Sequence, residues 1–373
     1  MSTSRAVWLW GCSFSLALGC SSTVSPFGGG GSGGDGTGNG VSDGGTTTTT
    51  NGGSPPINGG APPTNGGFGS GGEDPVGAGP EGGAGGEEPQ GGSPPIECDN
   101  LPPAPVAYEQ LFGFTSSEDF VFDSLGNYVS IDENSNLVRV TKAGVKTLWI
   151  PNVACSGCTA GMAAMPDDSV VFCDVVNGAL KRAYPAGNVQ TLIGGLNYPN
   201  GLDIGPDGYL YVAEDSGGKL RRVHPDTGVS TVVVNLGNPN GVAVTDDPTV
   251  IYVGSYNNGL IYKVLQPTPG QPGTSSVFVP ANMFEGGGID GMGWDKCGNI
   301  YAAEYISGNV YRITPEGAVT QIADLPSSWI PNIKWGRGVG GWDPEVMYVA
   351  DRNAASVFAL DVQVLGATEY ADL

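Results

Sequence analysis

From residue 118 onward the chain alternates apolar and polar positions at period two, in short runs broken by Gly, Asp, Asn and Pro. No stretch holds apolar residues at helical spacing, so short strands are predicted throughout. The runs group into six similar units that begin at residues 118, 160, 200, 240, 290 and 331. One gap between unit starts is wide because the fourth unit carries the insertion QPTPGQPG at 266–273. Val212, Val253, Ala302 and Val349 fall at one corresponding strand position, and Arg222, Lys263 and Arg312 mark the next strand. A fourth run closes the units as TLWI, TLIGG, TVVV, SVFV and QIADL. A unit of this size cannot bury its own faces, so radial stacking is the solution that the pattern predicts. The expectation is an all-β fold, a six-bladed β-propeller of four-stranded blades. Unit six lacks a fourth strand, while Ala107–Phe112 precedes unit one where other units are preceded by one. That N-terminal strand is expected to complete blade six and remove the open sheet edge.

The first 97 residues follow other rules. Residues 1–20 carry Arg5, an apolar run and small residues ending at Cys20, the pattern of a secretory signal. Leu16-Ala17-Leu18-Gly19-Cys20 resembles the bacterial lipobox, in which the Cys is lipidated; a plain cleaved signal is the alternative. Residues 21–97 are rich in Gly, Pro and Thr, with almost nothing apolar to bury, and are expected to be a disordered acidic linker. As a flexible coil they would reach roughly 50 Å. Residues 98–373 are then the propeller, exported and lipid-anchored to the bacterial outer membrane or cell surface, or else periplasmic or secreted. Membrane contact is expected only through the lipid, and the domain is expected to be a monomer.

Charge narrows the partners. The net charge is −22; the signal contributes one positive charge and the linker eight negative ones, which leaves −15 on residues 98–373. Such a domain repels phosphate backbones, so no nucleic-acid partner is expected. The cysteines point to an exported protein rather than to zinc. Cys155-Ser-Gly-Cys158 has no second CxxC and no nearby His, so a local disulfide is preferred over a metal site. The pairing of Cys98, Cys155, Cys158, Cys173 and Cys297 stays open.

In a propeller the leading residue of each innermost strand faces the central axis. Here those residues are Glu118, Ala160, Asn200, Asn240, Asp290 and Pro331. Four of the six carry side-chain oxygens, a set suited to a hard divalent cation. An Asn-Gly taken singly is only a turn signal; four oxygen donors in phase point to one bound ion. Calcium suits the set best, with magnesium, manganese and zinc as alternatives. The Gly after Asn200, Asn240 and Asp290 would let backbones approach without a Cβ.

The stretches PNGLDIGPDGYLYVAED, PNGVAVTDDPTVIYVGSY and IDGMGWDKCGNIYAAEYISGNVYRITPEG, and residues 106–361 around them, resemble the regucalcin/gluconolactonase/luciferin-regenerating-enzyme-like propellers. That family is related to the paraoxonases and strictosidine synthases. The resemblance implies that Glu118, Asn240 and Asp290 hold the catalytic metal. It places Asn200 at the substrate or at a metal water. The Glu118-Asp119 pair is similar to the Glu-Asp pair of paraoxonases, which puts Asp119 beside the site.

The implied activity is metal-dependent hydrolysis of lactones or small esters. The cation polarises the carbonyl and Asp290 serves as base. The single His, His224, sits at a strand end and offers no Ser-His-Asp triad. Blade two presents Ala160-Gly161-Met162-Ala163, without the polar residues with which relatives bind sugar lactones. Asn197, Tyr198, Phe284, Trp329 and Arg337 are candidates for the funnel wall. Two other functions compete: a non-catalytic NHL-type binding propeller, and a domain in which calcium only ties the blades together.

Overall fold

The inner strands of each blade bury both faces against neighbouring sheets, which explains why their apolar runs are short and dense. The structure is a computed structural model and describes residues 98–154, 157, 159–286 and 288–367. The expected signal, Cys20, the linker and the Cys155–Cys158 pair lie outside the described residues. β1 (Tyr108–Phe112) comes first in the chain. Blade one is β2 (Phe120–Phe122), β3 (Tyr128–Ile131), β4 (Leu137–Val140) and β5 (Lys146–Ile150). Blade two is β6 (Thr159–Ala164), β7 (Val170–Asp174), β8 (Ala179–Ala183) and β9 (Val189–Ile193). Blade three is β10 (Pro199–Ile204), β11 (Leu210–Glu214), β12 (Lys219–Val223) and β13 (Ser230–Asn235). Blade four is β14 (Pro239–Val244), β15 (Val250–Ser255), β16 (Leu260–Leu265) and β17 (Thr274–Val279). Blade five is β18 (Ile289–Trp294), β19 (Ile300–Glu304), β20 (Asn309–Ile313) and β21 (Val319–Asp324). Blade six is β22 (Ile333–Trp335), β23 (Val346–Asp351) and β24 (Ser356–Asp361), closed by β1.

Each sheet is a four-stranded antiparallel meander, and β1 pairs with β24 from Tyr108 opposite Leu360 to Phe112 opposite Ser356. The expected closure by the N-terminal strand is therefore present. The core is not one globule but six apolar clusters, each between two adjacent blades. Phe120, Phe122 and Tyr128 of blade one meet Trp342, Tyr348 and Val357 of blade six, which seals the ring. Trp342 is fully buried, and its indole N–H donates to the Gly126 carbonyl at 2.9 Å. Tyr128, Tyr211, Tyr301 and Tyr348 are fully buried too, so the strand tyrosines are inter-blade packing and not a ligand platform.

A disulfide joins Cys98 to Cys297, across 199 residues of chain. It ties the segment before β1 to the hairpin of blade five. Cys173 is a buried thiol in β7. His224 accepts a hydrogen bond at Nδ1 from the Asp226 N–H at 3.2 Å, as expected of a turn residue.

Candidate functional site

The six leading positions coincide in register. Met162 pairs with Phe172, Leu202 with Val212, Val242 with Val253, Met292 with Ala302, Ile333 with Val349 and Phe120 with Ser130. Two residues earlier in the chain stand Ala160, Asn200, Asn240, Asp290, Pro331 and Glu118. In blades two to five these residues lie inside the strand, at a β-bulge, rather than in a preceding loop. A bulge adds one unpaired residue and re-aims its side chain, a device common beside functional sites.

The following glycine has a packing reason. A Cβ on Gly201 would fall on the Asn240 carbonyl oxygen, and one on Gly241 on the Asp290 carbonyl oxygen. Adjacent innermost strands thus touch backbone to backbone at the ring. That contact requires Gly and explains why Asn-Gly recurs.

Glu118, Asp119, Asn200, Asn240 and Asp290 all line one cavity, with Asn332 and Lys334 of blade six. The structure therefore brings every expected site residue of the propeller together. They differ in what already holds them. Asp119 is buried; its Oδ1 accepts from the Phe120 N–H at 2.6 Å and its Oδ2 from the Met162 N–H of blade two at 2.5 Å. Burial lifts its pKa to about 6, against the pull of Lys334 and of those two N–H groups. Asp119 is thus a strut between blades one and two. Asp203 does the same between blades three and four, accepting from Ile204 and Val244, both at 2.8 Å.

Asp290 is the opposite case. No described donor makes a hydrogen bond to its carboxylate, and Asn200 and Asn240 have no side-chain hydrogen bond to a described residue either. Burial raises the Asp290 pKa well above the ordinary carboxylate range; the charges of Glu118 and Asp119 add to this and Arg352 opposes it. Glu118 is also raised by burial, and is held by an ion pair from its Oε1 to Nη1 of Arg352. Among the described residues no three His, Cys, Asp or Glu side chains cluster to hold a metal. The donor set is two carboxylates completed by amide oxygens.

A second ring, absent from the sequence expectations, surrounds the first. Register places Glu133, Val175, Asp215, Tyr256, Tyr305 and Arg352 at one equivalent position, just beyond the second strand of each blade. Tyr256 meets Tyr305 edge-on at 5.9 Å, and Tyr305 stacks with Trp329 at 6.5 Å. The charges of Asp290 and Glu118, after burial, push the Tyr256 hydroxyl up to about 12. Tyr198 lies within the same field, and it holds a left-handed φ of 56° just before Pro199. For a bulky residue that is a strained conformation of the kind found at binding sites. Tyr198 and Trp329 accordingly belong to the wall. Phe284 does not: it is buried against Tyr311 in the core of blades four and five. Arg337 lies past the far end of β22, donating to the Phe122 carbonyl at 2.9 Å. The Asn197 backbone N–H anchors to Glu214 at 2.8 Å.

An all-β ring with an acidic, donor-poor axial site defines the class: a six-bladed propeller with a polar funnel at one mouth. Residues 211–350 match the SMP-30/Gluconolactonase/LRE-like region, which bears out the resemblance drawn from the blade motifs. Over 140 residues the chain is 28% identical to the 6-deoxy-6-sulfogluconolactonase of Pseudomonas putida. That stretch is 34% of this chain and 47% of the relative, so the chain spans about half the relative's length. A gluconolactonase from Xanthomonas campestris shares the fold with a TM-score of 0.58 at 17% identity, over 74% of this chain and 99% of that one. Regucalcin from Agrobacterium tumefaciens, a calcium-binding protein, aligns with a TM-score of 0.57 at 19% identity, over 71% and 97% of the two chains.

Proposed function

We propose that this protein is a metal-dependent hydrolase of lactones or small esters. The observation that carries the proposal is the state of Asp290, Asn200 and Asn240. They are oxygen-bearing side chains in one cavity, without hydrogen bonds from described groups, and one is a carboxylate disfavoured by burial and by two like charges. A hard divalent cation is the ligand that such a set suits. Glu118, Asn240 and Asp290 would hold it, and calcium fits the all-oxygen set best. The chemistry such an ion supplies is polarisation of the scissile carbonyl.

The chain's own groups do the rest. Asp290 is the carboxylate placed in the ring to take the proton of the attacking water. Asn200 presents an amide beside it to orient the substrate. Tyr256, Tyr305 and Trp329 form an aromatic wall that suits a flat lactone ring. The P. putida relative is named for lactone hydrolysis, which supports the reaction class.

The test is calorimetric titration of chelator-treated full-length protein with calcium, magnesium, manganese and zinc, followed by a lactone and aryl-ester panel. Asp290→Ala is expected to abolish both binding and turnover. Undiminished cation binding by Asp290→Ala would sink the proposal, as would turnover that survives both chelation and that substitution. Tight binding with no turnover on any ester would favour the purely structural ion.

A further inference from the structure

Glu118 is not available as the other ring donors are. Arg352, from the turn between β23 and β24, contacts it through Nη1, and the same nitrogen lies 3.4 Å from the Tyr305 hydroxyl. The Arg352 backbone N–H donates to the Trp329 carbonyl at 3.0 Å, which fixes the root of the side chain on the wall. The Glu118 and Arg352 side chains are each 27% exposed, so the pair is neither sealed in the core nor fully solvated. Asp290 feels the guanidinium charge but receives no hydrogen bond from it.

We propose that Arg352 is a resident counter-cation, and that a divalent ion must displace it from Glu118 to complete the ring. The inference rests on the assignment of Glu118, Asn240 and Asp290 as the cation site. A carboxylate oxygen bonded to a guanidinium has that lone pair engaged, and two cations on one carboxylate repel. Oε2 is left open, so the opposition between guanidinium and metal at Glu118 lies in like-charge repulsion and in the direction in which Arg352 holds the carboxylate. Arg352 offsets part of the repulsion between Glu118 and Asp290. With the ion bound, the guanidinium is released beside Tyr305 and Trp329 at the mouth. The wall then gains a forked donor that it lacked before.

Calorimetry on chelator-treated full-length protein tests this, with calcium and manganese as probes and melting curves in chelator to verify folding. Arg352→Gln should bind about three to ten times tighter than wild type, the range for loss of a partly buried charge-assisted pair. Arg352→Lys, which keeps the charge without the fork, should fall between them. In a Glu118→Gln background the gain from Arg352→Gln should shrink below about twofold, because no carboxylate is left to compete for. Equal or weaker binding by Arg352→Gln overturns the proposal. So does a gain that is equally large in the Glu118→Gln background, since that is a through-space field and not an exchange. If wild type binds and Asp290→Ala does not, but Arg352→Gln matches wild type, the exchange alone fails. If neither wild type nor Arg352→Gln takes up either ion, the cation site itself fails with it.

Discussion

Replacing Asp119 by Asn separates a strut from a ligand. The wild-type carboxyl is buried, with a pKa near 6 in place of its ordinary 3.8. A carboxyl whose folded pKa is raised binds more protons folded than unfolded, so stability falls as pH rises across that window. Its contribution is complete below 3.8 and is lost by the time pH has passed 6. The gap between the two values corresponds to ~3 kcal/mol. Asn does not titrate, and it offers one acceptor oxygen where the carboxylate offers two. One of the Phe120 and Met162 N–H groups is left unmatched, at a cost of about 1–3 kcal/mol. The sign of the difference at any one pH depends on that loss. The change in the difference with pH depends only on the wild-type titration. Melting temperatures of both proteins, in chelator so that no ion linkage enters, should shift in the variant's favour from pH 4 to pH 7. The variant should gain ~3 kcal/mol on wild type, or ~6 °C for a domain of this size. Parallel curves would refute the titration. Unchanged melting combined with lost cation binding would refute the strut and return Asp119 to the ligand set.

Two further outcomes check the frame that holds the site. Replacing Cys98 and Cys297 together by Ser opens a loop of 199 residues; chain-entropy arguments put the loss near ~5 kcal/mol, and calorimetry should show melting lowered by close to 10 °C with the transition still cooperative. Gly241→Ala drives a Cβ into the Asp290 carbonyl oxygen and should cost more than about 3 kcal/mol as well as weaken cation binding. Gly194→Ala, which meets nothing within 4 Å, is the matched control and should leave both unchanged.

The blades were legible because each unit repeats a period-two pattern whose register is pinned by burial on both sides. Slipping one strand by a residue would turn Val212, Val253 or Ala302 out of the inter-blade core, so a sequence alignment of units is already an alignment of space. The same logic places Glu118, Asn200, Asn240 and Asp290 on one ring. It could not tell Glu118 from Asp119 by role. Along a strand the two side chains diverge, and only the neighbouring blade's Met162 N–H decides that one is a strut.

The second ring was also written in the sequence, but in a different code. Asp132, Asp174, Glu214, Glu304 and Asp351 recur at the end of each second strand, with Ser255 in blade four, and all six are buried. They anchor hairpins: Asp174 to Asn177 and Lys181, Glu214 to Arg221, Glu304 to Ser307 and Asn309, Asp351 to Ser356. The residue after each anchor is thereby held at a fixed height beside the funnel, and there the chain varies freely between Glu133, Val175, Asp215, Tyr256, Tyr305 and Arg352. Similarity between units finds what the fold needs, so it passes over a position whose residues have nothing in common. A recurring buried acid followed by a position of no consistent type is the signal that would have exposed the wall. The inner ring keeps oxygen donors in phase, while the outer ring, fixed in position but not in identity, is where Arg352 could arise next to Glu118 without disturbing a single strand.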